Sequence, residues 1–169
     1  MNKGKGKKVT GRIAPRKKMP LGLARLKKLA DHLDHGDLGH KKFDFGNYNA
    51  TEYDLKPEPY KCGTSGCAIG ECPFVFPKAW KFGASSIPTT EEFKDDTFCA
   101  SNSARAFFRI DSDECDHLFY PNCQDTIRYG GQILSYEATR QEVAANIYAF
   151  IEKKLGAGNP VGDKGDGNG

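Results

Sequence analysis

Lys61-Cys62-Gly63-Thr64-Ser65-Gly66-Cys67-Ala68-Ile69-Gly70-Glu71-Cys72-Pro73 is the stretch around which this chain is organised. Half of the six cysteines fall inside it at equal spacing, among residues that are nearly all small. Thr64 or Ser65 is suited to cap a short helix by accepting a hydrogen bond from a backbone N–H one turn on. Pro73 is expected to end that helix, because it has no N–H and its ring clashes with the preceding turn. Gly63, Gly66, Ala68 and Gly70 offer a surface that other backbone can approach closely. Phe74-Val75-Phe76-Pro77 and Ala79-Trp80 follow and are apolar enough to be core. The stretch is therefore expected to form a buried central hairpin of helix and loop.

The segment before it, 41–60, sets Phe43, Phe45, Tyr48, Tyr53 and Tyr60 among Asp, Asn and Gly. That pattern suggests an irregular segment anchored on the core by its rings. Further back, Leu23, Leu26, Leu29, Ala30 and Leu33 recur at spacings of three and four, which predicts a helix from Pro20 to a stop at Gly36. Its polar end carries Asp31, His32, Asp34, His35, Asp37 and His40, residue types that ligate metals, but no third ligand stands at a recognised spacing.

After the cysteine stretch, 83–90 reads as a Ser/Thr-rich loop. Ser101 or Ser103 could cap a helix holding Ala104, Ala106, Phe107, Phe108 and Ile110. Asp111 could cap the next, Ser112 to Phe119, which Pro121 closes. One strand is expected at Gln132-Ile133-Leu134. Thr139-Arg140-Gln141-Glu142 is a capping box, in which Thr and Glu satisfy each other's backbone donors. Val143, Ala144, Ile147, Phe150, Ile151 and Leu155 follow it at helical spacing, and Gly156 is the expected stop. The fold class is thus mainly α: a small irregular helical domain over 21–156 with long loops and at most a minor β element. A basic disordered arm, 1–20, and a Gly-rich flexible tail, 157–169, flank it.

The formal net charge of +3 conceals an asymmetry. Residues 1–28 hold eleven cations, Lys3, Lys5, Lys7, Lys8, Arg12, Arg16, Lys17, Lys18, Arg25, Lys27 and Lys28, and no acid. Taking these from the 25 basic residues leaves 14 against 22 acidic ones in the rest of the chain. An acidic body therefore carries a basic arm. Such arms bind nucleic acid or an acidic protein face, because each cation near a phosphate releases a counterion. No aromatic residue is interleaved in the arm to stack on bases. No apolar run is long enough to cross a bilayer, and the N-terminal lysines precede no hydrophobic segment of a secretory signal. A cytoplasmic protein that makes no membrane contact is the expectation.

The cysteines admit three readings. Cys62 could be a nucleophile near a helix N-terminus, where the partial positive charge lowers its pKa, with His117 as base and Asp44 to orient it. Zinc could be held by Cys62, Cys67 and Cys72 with Cys99, Cys115, Cys123 or His117, although the spacings differ from paired Cys-x-x-Cys half-sites. In the favoured reading no cofactor is required. Cys62, Gly63, Thr64, Cys67 and Gly70 form a structural motif, and the later cysteines are core among Phe98, Leu118 and Phe119.

In order along the chain stand Leu26-x-x-Leu29-Ala30-Asp31-His32-Leu33, Phe43-Asp44-Phe45, Cys62-Gly63-Thr64-x-x-Cys67-x-x-Gly70, Phe107-Phe108 and Leu118-Phe119-Tyr120-Pro121. With the closing amphipathic helix, this order resembles a group of small proteins of bacteriophages and their bacterial hosts. The resemblance covers about 21–156 and implies a mostly helical fold and a phage-related origin in the host cell or the virion. It implies no activity. The group's pattern continues with His or Ala where Glu71 and Cys72 stand here, so a role resting on that His would be absent. The expected function is a non-enzymatic accessory or structural binding protein, with a homo-oligomer or larger assembly among its expected partners; the alternative is a thiol-dependent hydrolase using Cys62.

Overall fold

The structure is a computed structural model that describes residues 18–45, 65–83, 87–93 and 100–157. Its elements are α1 (Leu21–His35), β1 (Lys42–Phe43), β2 (Ser65–Gly66), α2 (Cys72–Val75), β3 (Trp80–Phe82), β4 (Pro88–Thr90), α3 (Ala100–Phe108), α4 (Ser112–Phe119), α5 (Thr126–Tyr129) and α6 (Arg140–Ala157). The fold is mainly α, as the helical periodicities predict.

The frame is the pairing of α1 with α6. Leu26, Leu29, Ala30 and Leu33 of α1 and Val143, Ala144, Ile147, Phe150 and Ile151 of α6 are buried in one core. Each set lies on one helix face by its spacing of three and four, so docking the two stripes removes both from water at once. Asp31 of α1 accepts a hydrogen bond from the Tyr148 hydroxyl of α6 at 2.8 Å, tying the edges of the pair. Phe107 and Phe108 at the end of α3 close the core from the side, edge-on to each other and to Phe76. Close approach there depends on Gly22: a Cβ at that position would lie 2.0 Å from the Phe108 carbonyl oxygen.

The end signals work as expected at three helices. Gly36 adopts φ 92° and its N–H bonds the His32 carbonyl, ending α1. Asp111 and Glu114 form a capping box on α4. Thr139 and Glu142 form another on α6, with the Thr139 N–H donating to Glu142 Oε2 at 2.7 Å and the Glu142 N–H to Thr139 Oγ1 at 3.3 Å. The Met19 side chain packs against the core, so the body begins slightly before α1.

Other expectations are corrected. Ser65 does not stand at a helix start: it is a strand residue, Lys42 pairing with Ser65 and Phe43 with Gly66 in parallel register, and the helix that follows begins at Cys72. Pro73 does not end a helix but lies in the first turn of α2, where its missing N–H is one the helix would have left unpaired anyway. The loop expected at 83–90 supplies one strand of an antiparallel hairpin, Trp80 against Thr90 and Phe82 against Pro88. No strand forms at 132–134; Ile133 is exposed there, and Leu134 is held by its N–H on Gln124 Oε1. The helix expected to be capped by Ser101 or Ser103 begins at Ala100, and the buried Ser103 hydroxyl has no partner among the described residues. Cys115 is core, whereas Cys123 is exposed.

Candidate functional site

A buried carboxylate stands at the centre of the cysteine stretch. Glu71 follows the turn at 68–70 and precedes α2, and its side chain has no solvent exposure. The β1–β2 pairing draws the segment after α1 alongside this turn. Four donors then converge on the two carboxylate oxygens. Oε2 accepts from His32 Nε2 at 2.9 Å and from the Gly39 N–H at 2.8 Å. Oε1 accepts from His40 Nδ1 at 2.6 Å and from the His40 N–H at 3.2 Å.

An ionised carboxylate offers about four lone-pair sites, and here each has a donor. Burial alone would raise the Glu71 pKa, but the hydrogen bonds from His32, His40 and Gly39 outweigh it and hold the carboxyl down at about 2. The geometry also assigns tautomers: His40 carries a hydrogen on Nδ1 and His32 carries one on Nε2. The side chain of His40 is wholly buried, edge-on to Phe74 and Phe82. Its Nε2 has no partner among the described residues. Phe74 lies so close over Gly39 that a Cβ there would meet its ring at 2.1 Å.

Chemically, this is a clamp. It fastens the last turn of α1 and the segment leading into β1 to the cysteine stretch through one buried charge. With every lone pair engaged by a hydrogen bond, Glu71 has none to offer a metal. Among the described residues no group of three His, Cys, Asp or Glu side chains is arranged to hold one. The polar end of α1 is thus divided: His32 and His40 serve Glu71, while His35 bonds the Asp31 carbonyl at 2.6 Å. Periodicity and metal-ligand spacing did not point to this grouping. The available signal was a lone acid in a run of small and apolar residues, since a buried charge requires partners.

The remaining sequence-derived site residues are dispersed. Cys62, Gly63, Thr64 and Cys99 lie outside the described residues, as do Lys3, Lys5, Lys7, Lys8, Arg12, Arg16 and Lys17. Cys67 and Gly70 are buried. Burial pushes the Cys67 thiol up to about 11 and raises that of Cys72 as well, so both stay protonated and unreactive at neutral pH. His117, on α4, is fully buried against Tyr129 and Phe150, and burial lowers its pKa. Neither of its ring nitrogens has a hydrogen-bond partner among the described residues, so the structure does not join it to Asp44.

The three cations of α1 are engaged within the body. Arg25 pairs with Glu92 at 2.6 Å, donates to the Phe107 carbonyl and stacks over the Phe107 ring. Lys27 pairs with Asp31 at 2.7 Å, and Lys28 donates to the Val75 carbonyl at 2.9 Å. Lys18, just before the helix, is exposed. Among the described residues no helix is long and apolar enough to cross a membrane.

Compared with protein-family models, curated proteins and solved structures, the chain matches none of them, so its functional reading rests on its own residues.

Proposed function

We propose that this chain is a non-enzymatic binding protein whose basic N-terminal arm grips nucleic acid or an acidic protein face while the helical body supplies a second contact. The observation that carries the reading is the charge asymmetry: every one of the eleven charged side chains in residues 1–28 is positive, on a chain that is otherwise acidic. The engagements of Arg25, Lys27 and Lys28 sharpen it, because they leave the partner to the cations from Lys3 to Lys18. Contacts of this kind position a phosphate backbone without reading its sequence.

The test uses the full chain with Lys3, Lys5, Lys7, Lys8, Arg12, Arg16, Lys17 and Lys18 replaced by Gln. Binding to a fluorescent DNA duplex is followed by anisotropy over a salt series. The native chain should bind with an affinity that falls steeply with salt, roughly one logarithmic unit per phosphate contact for each tenfold rise in salt. The neutralised chain should lose that dependence. Equal affinity and equal salt slope for both chains would refute the reading.

The alternative, a thiol-dependent hydrolase at Cys62, has less support. His117 lacks an orienting carboxylate, and His40, which has one in Glu71, is sealed from solvent. Full activity of Cys62→Ser against any thioester or amide substrate the chain turns over would dispose of it.

A further inference from the structure

An open groove of about 540 Å³ lies where the end of α1, the segment 38–43 and the start of α6 meet. We propose that this groove is a binding site for a phosphate group. Three cations line it, Lys41, Lys42 and Arg140, against one acid, Glu137. Lys41 and Lys42 are exposed and form no ion pair among the described residues.

Arg140 is the residue that points to a ligand. Its Nη1 is buried and has no hydrogen-bond partner among the described residues. Native proteins rarely leave a buried donor unpaired, least of all on a charged group. The guanidinium reaches this place because position 36 has no side chain: a Cβ on Gly36 would lie 2.6 Å from Nη1 and 2.7 Å from Nη2. Gly36 thus serves both the left-handed turn that ends α1 and the seating of Arg140.

The groove also borders the first residue of α6, an 18-residue helix whose positive end faces this region. A guanidinium can pair with two oxygens of a phosphate at once, and the two lysines supply unspecific charge around it. The phosphate could belong to a small phosphorylated compound or to a nucleic-acid backbone; the recognition chemistry is the same. The inference does not depend on the arm, since every residue in it belongs to the body.

The test is a titration of the full-length, 15N-labelled chain with inorganic phosphate at neutral pH and constant ionic strength, with chloride exchanged for phosphate. The amides of Lys41, Lys42, Arg140 and Gln141 should shift together and saturate. Arg140→Gln should weaken binding by about tenfold or more, the scale of one charge-assisted bidentate contact. The double variant Lys41→Gln/Lys42→Gln alters only exposed side chains, keeps the fold, and should weaken it several-fold. Shifts that never saturate, or equal affinity in both variants, would overturn the proposal. A short single-stranded oligonucleotide then distinguishes the source. Displacement of phosphate from these resonances assigns the groove to a nucleic-acid backbone, and failure to displace assigns it to a free phosphorylated compound. Either result can coexist with success or failure of the arm experiment, because the resonances followed are not those of the arm.

Discussion

Replacing Glu71 by Gln is the most informative single change. The side chains are nearly isosteric, so no cavity opens and the effect isolates hydrogen bonding. In the native protein both oxygens accept, two donors apiece. A Gln side chain keeps one oxygen and turns the other into an NH2, which then faces two donors with nothing to accept. Each stranded buried donor costs about 1–3 kcal/mol, so two together cost about 2–6 kcal/mol. We therefore expect a loss of about 3–5 kcal/mol, a large part of the roughly 5–15 kcal/mol that holds a typical domain folded.

Urea unfolding can report this through Trp80, the one tryptophan, which is buried against Phe107 and Phe108. With a slope of about 2 kcal/mol per molar urea, the midpoint should fall by about 2 M at unchanged slope. The pH dependence gives an independent check. The Glu71 carboxyl stands at about 2 in the folded chain against 4.5 as its ordinary value. A carboxyl depressed in the folded state contributes stability that is complete above its unfolded value and is lost as pH falls through the folded one. The native chain should accordingly lose about 3 kcal/mol from this group between about pH 5 and 2, and the Gln variant should not show that increment. A midpoint shift under about 0.5 M, with pH profiles that run parallel, would refute the clamp.

Gly22→Ala sets two effects against each other. Alanine favours a helix over glycine by about 1 kcal/mol, but its Cβ would meet the Phe108 carbonyl oxygen at 2.0 Å. Overpacking against backbone costs about 1–3 kcal/mol, and we expect net destabilisation of about 1–2 kcal/mol; a stabilised variant would show that α1 and α3 part easily. Alkylation of the native protein, mapped by mass, should modify Cys123 rapidly while Cys67, Cys72 and Cys115 resist, because the first is exposed and the others are buried. Fast labelling of Cys67 would mean that the turn before Glu71 opens far more readily than its burial implies.

Helix ends and apolar stripes are local properties, and they were legible without the fold. The spacing in α1 and α6, the Asp111 cap and the Thr139–Glu142 box each depend on residues within a turn or two of one another, so the chain's own neighbours decide them. Pro73 shows the limit of such reasoning. The same missing N–H suits a helix's first turn and disrupts its interior, and the choice depends on where the helix begins, which is Cys72. The hairpin of β3 and β4 escaped for a similar reason: strands of three residues are too short to display an alternation.

The amino-acid sequence by itself therefore determined the class of the fold, its two principal helices and the concentration of positive charge in the first 28 residues of an otherwise acidic chain, since composition and short-range periodicity carry that information. Only the tertiary structure decided what Glu71 does. Its partners lie 31 to 39 residues away, and nothing in the spacing of His32, Gly39 and His40 marks them for it. A buried charge is tolerated only where the fold brings enough donors to it, so the choice of those donors belongs to the packing of α1 against the cysteine stretch. The same packing, by ending α1 at a glycine beside Arg140, assembled the basic groove from three segments that are unrelated in the sequence.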